Sequence, residues 1–294
     1  MNTPPPRILA RTASRLQRNW DWRAATNFIA GGSGAGALLW SAPLAVGGAQ
    51  VGAGIALGLA LIACGLTCVW LEIGKPWRAL NAYRHLAASW MTREAAIAPL
   101  LMACGLLALW RRQPVYVGAC ALLGLAFVYA QARILAADRG IPAWRHPRSR
   151  ALVVVSGLTE GAALLLCLGL VDPAARATPA WAAPLLLAAL LALRLRAWRG
   201  YLDALARDAA PAAALVALRR LDKPFVRAGH LAPIALALLG AALRQPLLAG
   251  AGAAAAAAAG WAFKYTLVCR AAYTQGFALP ALPVRGGGLP RRAR

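Results

Sequence analysis

Long apolar segments recur along the whole chain, and they constrain its fold more than any other feature. A helix needs about 20 mostly apolar residues to cross a lipid bilayer, and glycine and alanine are tolerated within it. Eight segments are of this kind, at residues 24–45, 48–71, 93–110, 114–136, 151–171, 179–197, 229–243 and 246–267. They predict an all-α integral membrane protein with eight transmembrane helices, arranged as two four-helix bundles.

The composition supports the same class of protein. Of the 294 residues, 61% are hydrophobic and 14% are charged, whereas about 25% of the residues of a soluble domain are charged. The formal net charge of +23 would suggest a nucleic-acid partner if the basic residues formed one face of a soluble module. Here they lie between apolar segments, so we expect no nucleic-acid partner.

The basic residues are distributed very unequally between the two sides of the predicted membrane. With eight spans, 28 of the 32 lysines and arginines fall on the side of the N-terminus. Short loops rich in lysine and arginine stay in the cytoplasm, so we expect both termini there and the spans in a bacterial inner membrane. The predicted parts are a basic N-terminal segment (1–23), a transmembrane domain (24–267) with a basic loop (198–228), and a C-terminal tail (268–294).

The chain offers few ligands for a metal of its own. Its six cysteines lie in predicted spans or at their ends and form no C-x-x-C pair, which disfavours an iron–sulfur cluster. The three histidines are His85, His146 and His230, and they do not form a pair that could ligate a haem within the membrane. We therefore expect no metal centre and no tightly held cofactor.

The run NFIAGGSGAGALLW, residues 27–40, has the glycine content of a phosphate-binding loop. Such a loop follows a strand and opens a soluble helix, and neither is predicted here. Gly32 and Gly36 instead form a small-xxx-small pair, which lets membrane helices approach closely. Asn27, at the edge of this span, can hydrogen-bond a ligand or a neighbouring backbone group.

Charged residues inside the spans are candidates for function, because a charge near the bilayer centre costs at least about 2.5–3.5 kcal/mol. Glu160 lies near the middle of the fifth span and needs a partner, a proton or water. Lys264 and Arg133 lie close to span ends, where long basic side chains can extend to the lipid headgroups. We therefore expect a functional role for Glu160 and structural roles for the two basic residues.

One connection between spans gathers many polar residues. It reads WLEIGKPWRALNAYRHLAASWMTREAA, residues 70–96. It closely resembles the loop between the second and third spans in membrane-anchor subunits of the dimethyl sulfoxide reductase type, within the polysulfide-reductase anchor superfamily. The shared residues are Gly74, Pro76, Arg78, Ala79, Asn81, Ser89 and Glu94. The resemblance continues through YAQARILAADRGIPAW, residues 129–144.

The resemblance implies a role at the membrane. Such anchors hold a molybdenum- or tungsten-bis-pterin catalytic subunit and a four-cluster, ferredoxin-like iron–sulfur subunit, and they exchange electrons with the quinone pool. Quinone or quinol is then an exchangeable substrate, and the partner subunits carry the metal centres. The chain would be the metal-free, quinone-linked subunit of an oxidoreductase complex of anaerobic respiration.

The same resemblance implies candidate site residues. The acid matched by Glu94 is associated with quinol binding in the family, and a carboxylate at a wet helix end can relay the protons of quinone chemistry. Glu72 stands where these anchors commonly have histidine and would be a second relay, and Glu160 would extend the proton path. The candidate quinone contacts are Arg78, Asn81, Lys75, Arg93, His85 and Asn27. For the arginines and the lysine of this set, contact with lipid phosphates explains the sequence equally well.

The charge distribution and the resemblance together leave several functions open. The positive-inside rule predicts partners in the cytoplasm, although dimethyl sulfoxide reductase itself works outside it. Cytoplasm-facing relatives include sulfite dehydrogenases and phenylacetyl-CoA:acceptor oxidoreductases, and residues 264–286 are more similar to the latter. The basic loop 198–228 could dock an acidic iron–sulfur subunit, with an interfacial helix over the lipid headgroups. The alternatives are a secondary transporter with a midplane site near Glu160 and a purely structural tether without a quinone site.

Overall fold

The computed structural model describes residues 10–12, 14–72, 89–177 and 179–279, and within these ranges it contains eight long helices. They are α1 (Trp22–Val46), α2 (Gly52–Glu72), α3 (Trp90–Arg111), α4 (Pro114–Ala137), α5 (Pro147–Val171), α6 (Ala182–Arg207), α7 (Ala212–Ala242) and α8 (Pro246–Arg270). A single helical turn, Pro142–Arg145, precedes α5, and a 3-10 turn, Pro173–Ala175, follows it. The all-α membrane fold predicted from the sequence is confirmed.

Seven of these helices are long and apolar enough to cross a membrane. The remaining one, α6, has 26 residues, but every 18-residue stretch within it contains Arg194, Arg196 and Arg199. Its first half is as apolar as a spanning helix, and its second half is basic. Composition alone therefore does not decide whether α6 crosses.

The two ends of the described chain lie together and indicate that α6 crosses as well. Strand β1 (Ala10–Thr12) pairs antiparallel with strand β2 (Phe277–Leu279), and the Gln17 amide donates a hydrogen bond to the Ala272 carbonyl. Chain ends on one side of a membrane require an even number of crossings, which agrees with eight spans. We call the side with both chain ends the terminal side and the opposite side the distal side.

The helix bounds differ from the predicted spans mainly in region 198–228. Helix α6 continues to Arg207 and α7 begins at Ala212, so most of this predicted loop is helical. The first part of α7 is amphipathic: it buries Leu218 and Phe225, whereas Arg219 and Arg220 are exposed. A search for long continuous apolar runs misses such a segment, because the charged residues Arg219, Arg220, Asp222 and Lys223 interrupt it.

Local sequence signals explain where several helices begin. The Asp21 carboxylate accepts a hydrogen bond from the Arg23 amide (2.8 Å) ahead of α1, and Ser89 Oγ accepts one from the Thr92 amide (3.4 Å) ahead of α3. Proline occupies the first position of α4, α5 and α8. Its fixed φ suits that position, where no intrahelical partner exists for an N–H group.

His146 joins the start of α5 to the end of α6. Its Nδ1 accepts a hydrogen bond from the Arg148 amide (3.1 Å), so Nε2 carries the ring proton and faces the Asp208 carboxylate at 3.2 Å. Burial of the ring lowers the pKa of His146 from its ordinary value of 6.5, and this outweighs the opposite effect of Asp208. The neutral ring is thus the form that the fold favours.

Helix α1 packs against α2, α4 and α5, and glycines make the closest approach. A Cβ on Gly36 would lie 2.9 Å from the carbonyl carbon of Gly157 and 3.1 Å from Cα of Gly161. A Cβ on Gly157 would lie 2.9 Å from the carbonyl oxygen of Gly32. The small-xxx-small packing predicted for the first span is therefore confirmed, and its partner is α5.

The buried side chains of the described residues form three cores. The largest includes Leu152, Trp198 and Phe225 and joins α1 and α4 to α5, α6, α7 and α8. Helices α1 to α4 share a second core that includes Phe127, and α5, α6 and α8 share a third that includes Leu187. The first four helices and the last four therefore share an extensive interface, and their arrangement as two four-helix bundles stays a prediction.

Three helices contain a π-helical segment. The segments are Asn27–Gly31 in α1, Arg227–Leu231 in α7 and Thr266–Arg270 in α8. The first two contain the buried polar residues Asn27 and His230, and the third begins two residues after the buried Lys264. Segments of this kind occur frequently at functional sites, and here they coincide with the polar interior of the bundle.

Candidate functional site

A buried ion pair lies where α1, α5 and α8 meet. Glu160 and Lys264 expose 0% and 1% of their side chains, and Lys264 Nζ lies 2.7 Å from Glu160 Oε2. The same oxygen accepts a hydrogen bond from Ser33 Oγ (2.6 Å), which in turn accepts one from Trp261 Nε1 (3.0 Å). Glu160 thus has the partner that the sequence required. The expectation that Lys264 extends to the headgroups was wrong, because its ammonium group turns inward to this carboxylate.

A second cation lies on the other side of Glu160. Arg194 of α6 is fully buried and donates from Nη1 to the Ala256 carbonyl (3.0 Å) and from Nη2 to the Gly229 carbonyl (2.9 Å). Its Nε donates to His230 Nε2 (3.0 Å). The Nδ1 atom of His230 then carries the ring proton and lies 2.6 Å from the Phe225 carbonyl oxygen. His230 is therefore a neutral acceptor for Arg194.

Gly260 of α8 provides the space between the acid and this second cation. A Cβ on Gly260 would overlap Glu160 Oε1 and lie 2.9 Å from Arg194 Nη1. Glu160 Oε1 is buried and has no hydrogen-bond partner among the described residues. The Glu160 carboxylate is thus flanked by two cations, and its Oε1 atom is available to accept a further hydrogen bond.

A smaller polar cluster lies nearer the terminal side, between α1, α3 and α4. Glu94 exposes 7% of its surface, and its Oε1 accepts a hydrogen bond from Asn27 Nδ2 (3.3 Å). Gln131 Nε2 donates to the backbone carbonyl of Asn27 (2.9 Å). Asn27 Oδ1 and Gln131 Oε1 are buried without a partner among the described residues. The structure thus brings together two predicted site residues, Asn27 and Glu94, that are far apart in sequence.

The two clusters meet at the glycines of α1. A Cβ on Gly31 would overlap Gln131 Nε2, and a Cβ on Gly32 would overlap Lys264 Nζ and lie 3.6 Å from Gln131 Oε1. Gln131 of α4 and Lys264 of α8 therefore reach the same part of α1, because Gly31 and Gly32 have no side chains. Polar groups follow one another from Glu94 to Glu160.

Glu72 lies apart from this line of polar groups. It is the last residue of α2 and is half-buried. It lies close enough to Asp21 and Arg23 to interact with their charges, and Arg23 Nη1 donates to the Leu71 carbonyl (3.3 Å). The predicted second relay is therefore part of a charged group at the terminal-side surface.

Arg93 and Arg133 are on the lipid-facing side of the same end. Their guanidinium carbons lie 4.2 and 4.4 Å from the ring centroid of Trp90, and Arg133 Nη1 donates to the Tyr129 hydroxyl (3.0 Å). Tryptophan, tyrosine and arginine are typical of the membrane–water interface. These contacts agree with the interfacial position expected for Arg133.

The remaining candidate quinone contacts, Lys75, Arg78, Asn81 and His85, lie outside the described residues. Within the described ranges, no three histidine, cysteine or acidic side chains come together in a way that could hold a metal ion.

Sequence reasoning missed four buried partners: Arg194, His230, Ser33 and Gln131. Arg194 carried a usable signal, because it follows nine residues of purely apolar sequence in LLLAALLALRLRAW, residues 185–198. The others carried none. Ser33 and Gln131 are uncharged, and His230 stands at the start of the predicted span 229–243. Only the packing shows that all three face the charges.

Part of the chain matches a known protein family. A model of the DMSO reductase anchor subunit (DmsC) matches residues 45–195, which is more than half of the 294 residues. The matched region runs from the end of α1 into α6 and includes Glu72, Glu94 and Glu160. No curated protein matches the chain.

Proposed function

The chain belongs to the DMSO reductase anchor subunit (DmsC) family, and from this premise we propose that it is the quinone-reactive anchor of a molybdenum- or tungsten-pterin iron–sulfur oxidoreductase. It would pass electrons between the iron–sulfur subunit and the quinone pool. The observation that carries the proposal is the buried Asn27–Glu94 hydrogen bond at the terminal-side end of the bundle. The family match favours this function over a secondary transporter.

The chemistry of quinone needs the groups that this cluster supplies. Oxidation of a quinol releases two protons with two electrons, and reduction of a quinone takes up the same number. The carboxylate of Glu94 can accept or donate one proton at a time. Asn27 Oδ1 and Gln131 Oε1, which have no partner among the described residues, can accept hydrogen bonds from the hydroxyl groups of a quinol. Glu94 would therefore be the proton relay and Asn27 a positioning contact.

Glu160 would act as a deeper proton acceptor for the same reaction. Gln131 and Lys264 approach each other at Gly32, and Lys264 contacts Glu160 at 2.7 Å. A proton received near Glu94 could reach Glu160 through these groups and the water that buried polar atoms commonly bind. Glu72, Arg93 and the candidates in residues 73–88 would complete the site toward the terminal-side surface.

The charge distribution supports docking of the partner subunits on the terminal side. That side carries most of the basic residues, including Arg219, Arg220 and Lys223 on the exposed face of α7. Positive-inside orientation would make it cytoplasmic, so the iron–sulfur and catalytic subunits would face the cytoplasm. An acidic surface on the iron–sulfur subunit would complement this region.

Quinone-linked turnover of the assembled complex tests the proposal. We expect Glu94→Gln to lower turnover with a quinone or quinol at least about 100-fold, the contribution typical of a general acid or base. Turnover of the same complex with an artificial electron carrier that reacts directly with the iron–sulfur subunit should not change. Asp203→Asn, at an exposed acid near the same end of α6, is the matched control and should behave like the unmodified complex.

Two results would contradict the assignments. Equal quinone-linked rates for Glu94→Gln and Asp203→Asn would remove the relay role of Glu94. If the unmodified complex assembles but shows no quinone-linked turnover, the chain is a structural tether. The orientation is tested separately by reporter fusions to the C-terminus, and a reporter active only outside the cytoplasm would overturn it.

A further inference from the structure

A large apolar cavity opens on the distal side, away from the polar clusters. Its volume is about 880 Å³, and it lies between the distal ends of α1, α5 and α7 and the beginnings of α6 and α8. Apolar side chains such as Leu44, Leu165, Leu170 and Leu186 line it. The volume is near the upper end of the range of about 300–1,000 Å³ for small-molecule sites, so the cavity can hold a long hydrocarbon chain.

Two arginines border this cavity, and no acidic residue does. They are Arg176, which follows the 3-10 turn after α5, and Arg244, which lies between α7 and α8. The distal side has only two other basic residues, Arg111 and Arg112. Two of the four basic residues on the distal side therefore border this one cavity.

The two guanidinium groups have capacity left for an anion. Arg176 Nε donates to the Gly169 carbonyl (2.6 Å), near the end of α5. No hydrogen bond within the described ranges engages its Nη atoms or the side chain of Arg244. The nearest acid in sequence, Asp172, accepts the amide of Ala174 (3.1 Å) and is not part of the lining.

We propose that this cavity is a binding site for an anionic phospholipid of the distal leaflet. An acyl chain would occupy the apolar interior, and the phosphate would bind Arg176 and Arg244 at the membrane surface. Trp181, exposed at the rim, is at the depth where tryptophan typically contacts lipid headgroups. The lining offers no carboxylate to pair with the cationic headgroup of a zwitterionic lipid, so the site should select net negative charge. The proposal is independent of the quinone-linked function.

Native mass spectrometry of the purified chain, titrated with phosphatidylglycerol or phosphatidylethanolamine, tests the site. One arginine near a membrane surface contributes about five-fold in affinity for an anionic lipid. We therefore expect Arg244→Gln to reduce phosphatidylglycerol binding about five-fold and to leave phosphatidylethanolamine binding unchanged. Arg112→Gln is a close control, because Arg112 and Arg244 both end a helix on the distal side with positive φ (53° and 55°).

A cavity-filling variant tests the apolar part. Ala183 lines the cavity. Ala183→Trp should therefore abolish binding of phosphatidylglycerol in the cavity although Arg244 remains in place. Equal loss of phosphatidylglycerol in Arg244→Gln and Arg112→Gln would show only general attraction to a basic surface and would overturn the proposal. Full lipid retention in Ala183→Trp, or preferential retention of a neutral lipid or a quinone by the unmodified protein, would also overturn it.

Discussion

Replacing Lys264 by methionine removes the cation of the buried pair with little change in side-chain volume. The two charges are 2.7 Å apart and almost fully buried, and at an effective dielectric constant of 20 their gross attraction is about 6 kcal/mol. Desolvation of both groups offsets part of this attraction. Removing one partner of an isolated buried pair typically costs about 3–5 kcal/mol. Because Arg194 remains near Glu160 Oε1 and still compensates part of its charge, we expect Lys264→Met to lower the free energy of unfolding by about 3 kcal/mol, the lower end of that range.

Arg194 keeps its hydrogen bonds to His230 and to the Ala256 and Gly229 carbonyls in each of these variants. The double variant Lys264→Met/Glu160→Gln removes both members of the pair, so the loss of their mutual attraction is counted only once. It should therefore be more stable than the sum of the single variants predicts, by about 2–3 kcal/mol. Ser33 can still hydrogen-bond the amide oxygen of the glutamine.

Unfolding of the purified protein in detergent micelles by increasing fractions of a denaturing detergent, followed by tryptophan fluorescence, measures these differences. Lys223, an exposed lysine of α7, supplies the matched control. Lys223→Met should change stability by less than about 0.5 kcal/mol. If Lys264→Met is no less stable than Lys223→Met, or if the losses in the double variant are strictly additive, the Lys264–Glu160 pair does not stabilise the fold.

Four further substitutions should have distinct effects. Gly32→Ala should cost about 1–3 kcal/mol because its methyl group would displace a buried ammonium group. Gly118→Ala, with nothing within 4 Å of the new methyl group, should instead stabilise by about 0.5–1 kcal/mol in the same detergent assay. Tyr201→Phe removes a buried 2.7 Å hydrogen bond to a backbone carbonyl, so thermal unfolding should show a loss of about 0.5–1.5 kcal/mol. Burial lowers the pKa of His146 below 6.5, so the unfolded state binds its proton more tightly, and stability should fall as pH decreases through and below 6.5. His146→Asn should make the unfolding free energy less dependent on pH in this range.

The membrane fold could be predicted because its signal is repeated and local. Each span can be recognised from its length and hydropathy. The unequal number of basic residues on the two sides of the membrane supports the number of crossings. The bounds of the helix in the first half of α7 lack such a signal. Charged residues interrupt its apolar run, and its helical structure follows from packing Leu218 and Phe225 against the bundle.

The candidate site could be predicted only in part, for a physical reason. Glu160 stood out because an acid in an apolar span is costly without a partner. The identity of that partner depends on side-chain direction, which sequence position near a span end does not specify. Lys264 is close enough to the end of α8 to extend to the headgroups, and it turns inward because Gly32 on α1 leaves room for its ammonium group. Gly31 on α1 likewise leaves room for the amide of Gln131 beside Asn27.

The depth of the polar groups predicts how quinone turnover affects the membrane potential. Every buried acidic, basic or histidine side chain in the described part of the chain lies in the terminal-side half or near the middle of its helix: Glu94, Glu160, Arg194, His230 and Lys264. The distal halves of the described helices bury no charge, so protons exchanged at Glu94 and Glu160 should enter and leave on the terminal side. If the electron-carrying partners also dock there, electrons and protons use the same side, and no net charge crosses the bilayer. Complexes reconstituted in lipid vesicles with a voltage-sensitive dye should therefore turn over quinone without building a potential. A potential that forms during turnover and disappears in Glu160→Gln would show that protons also pass through the distal half and would contradict this prediction.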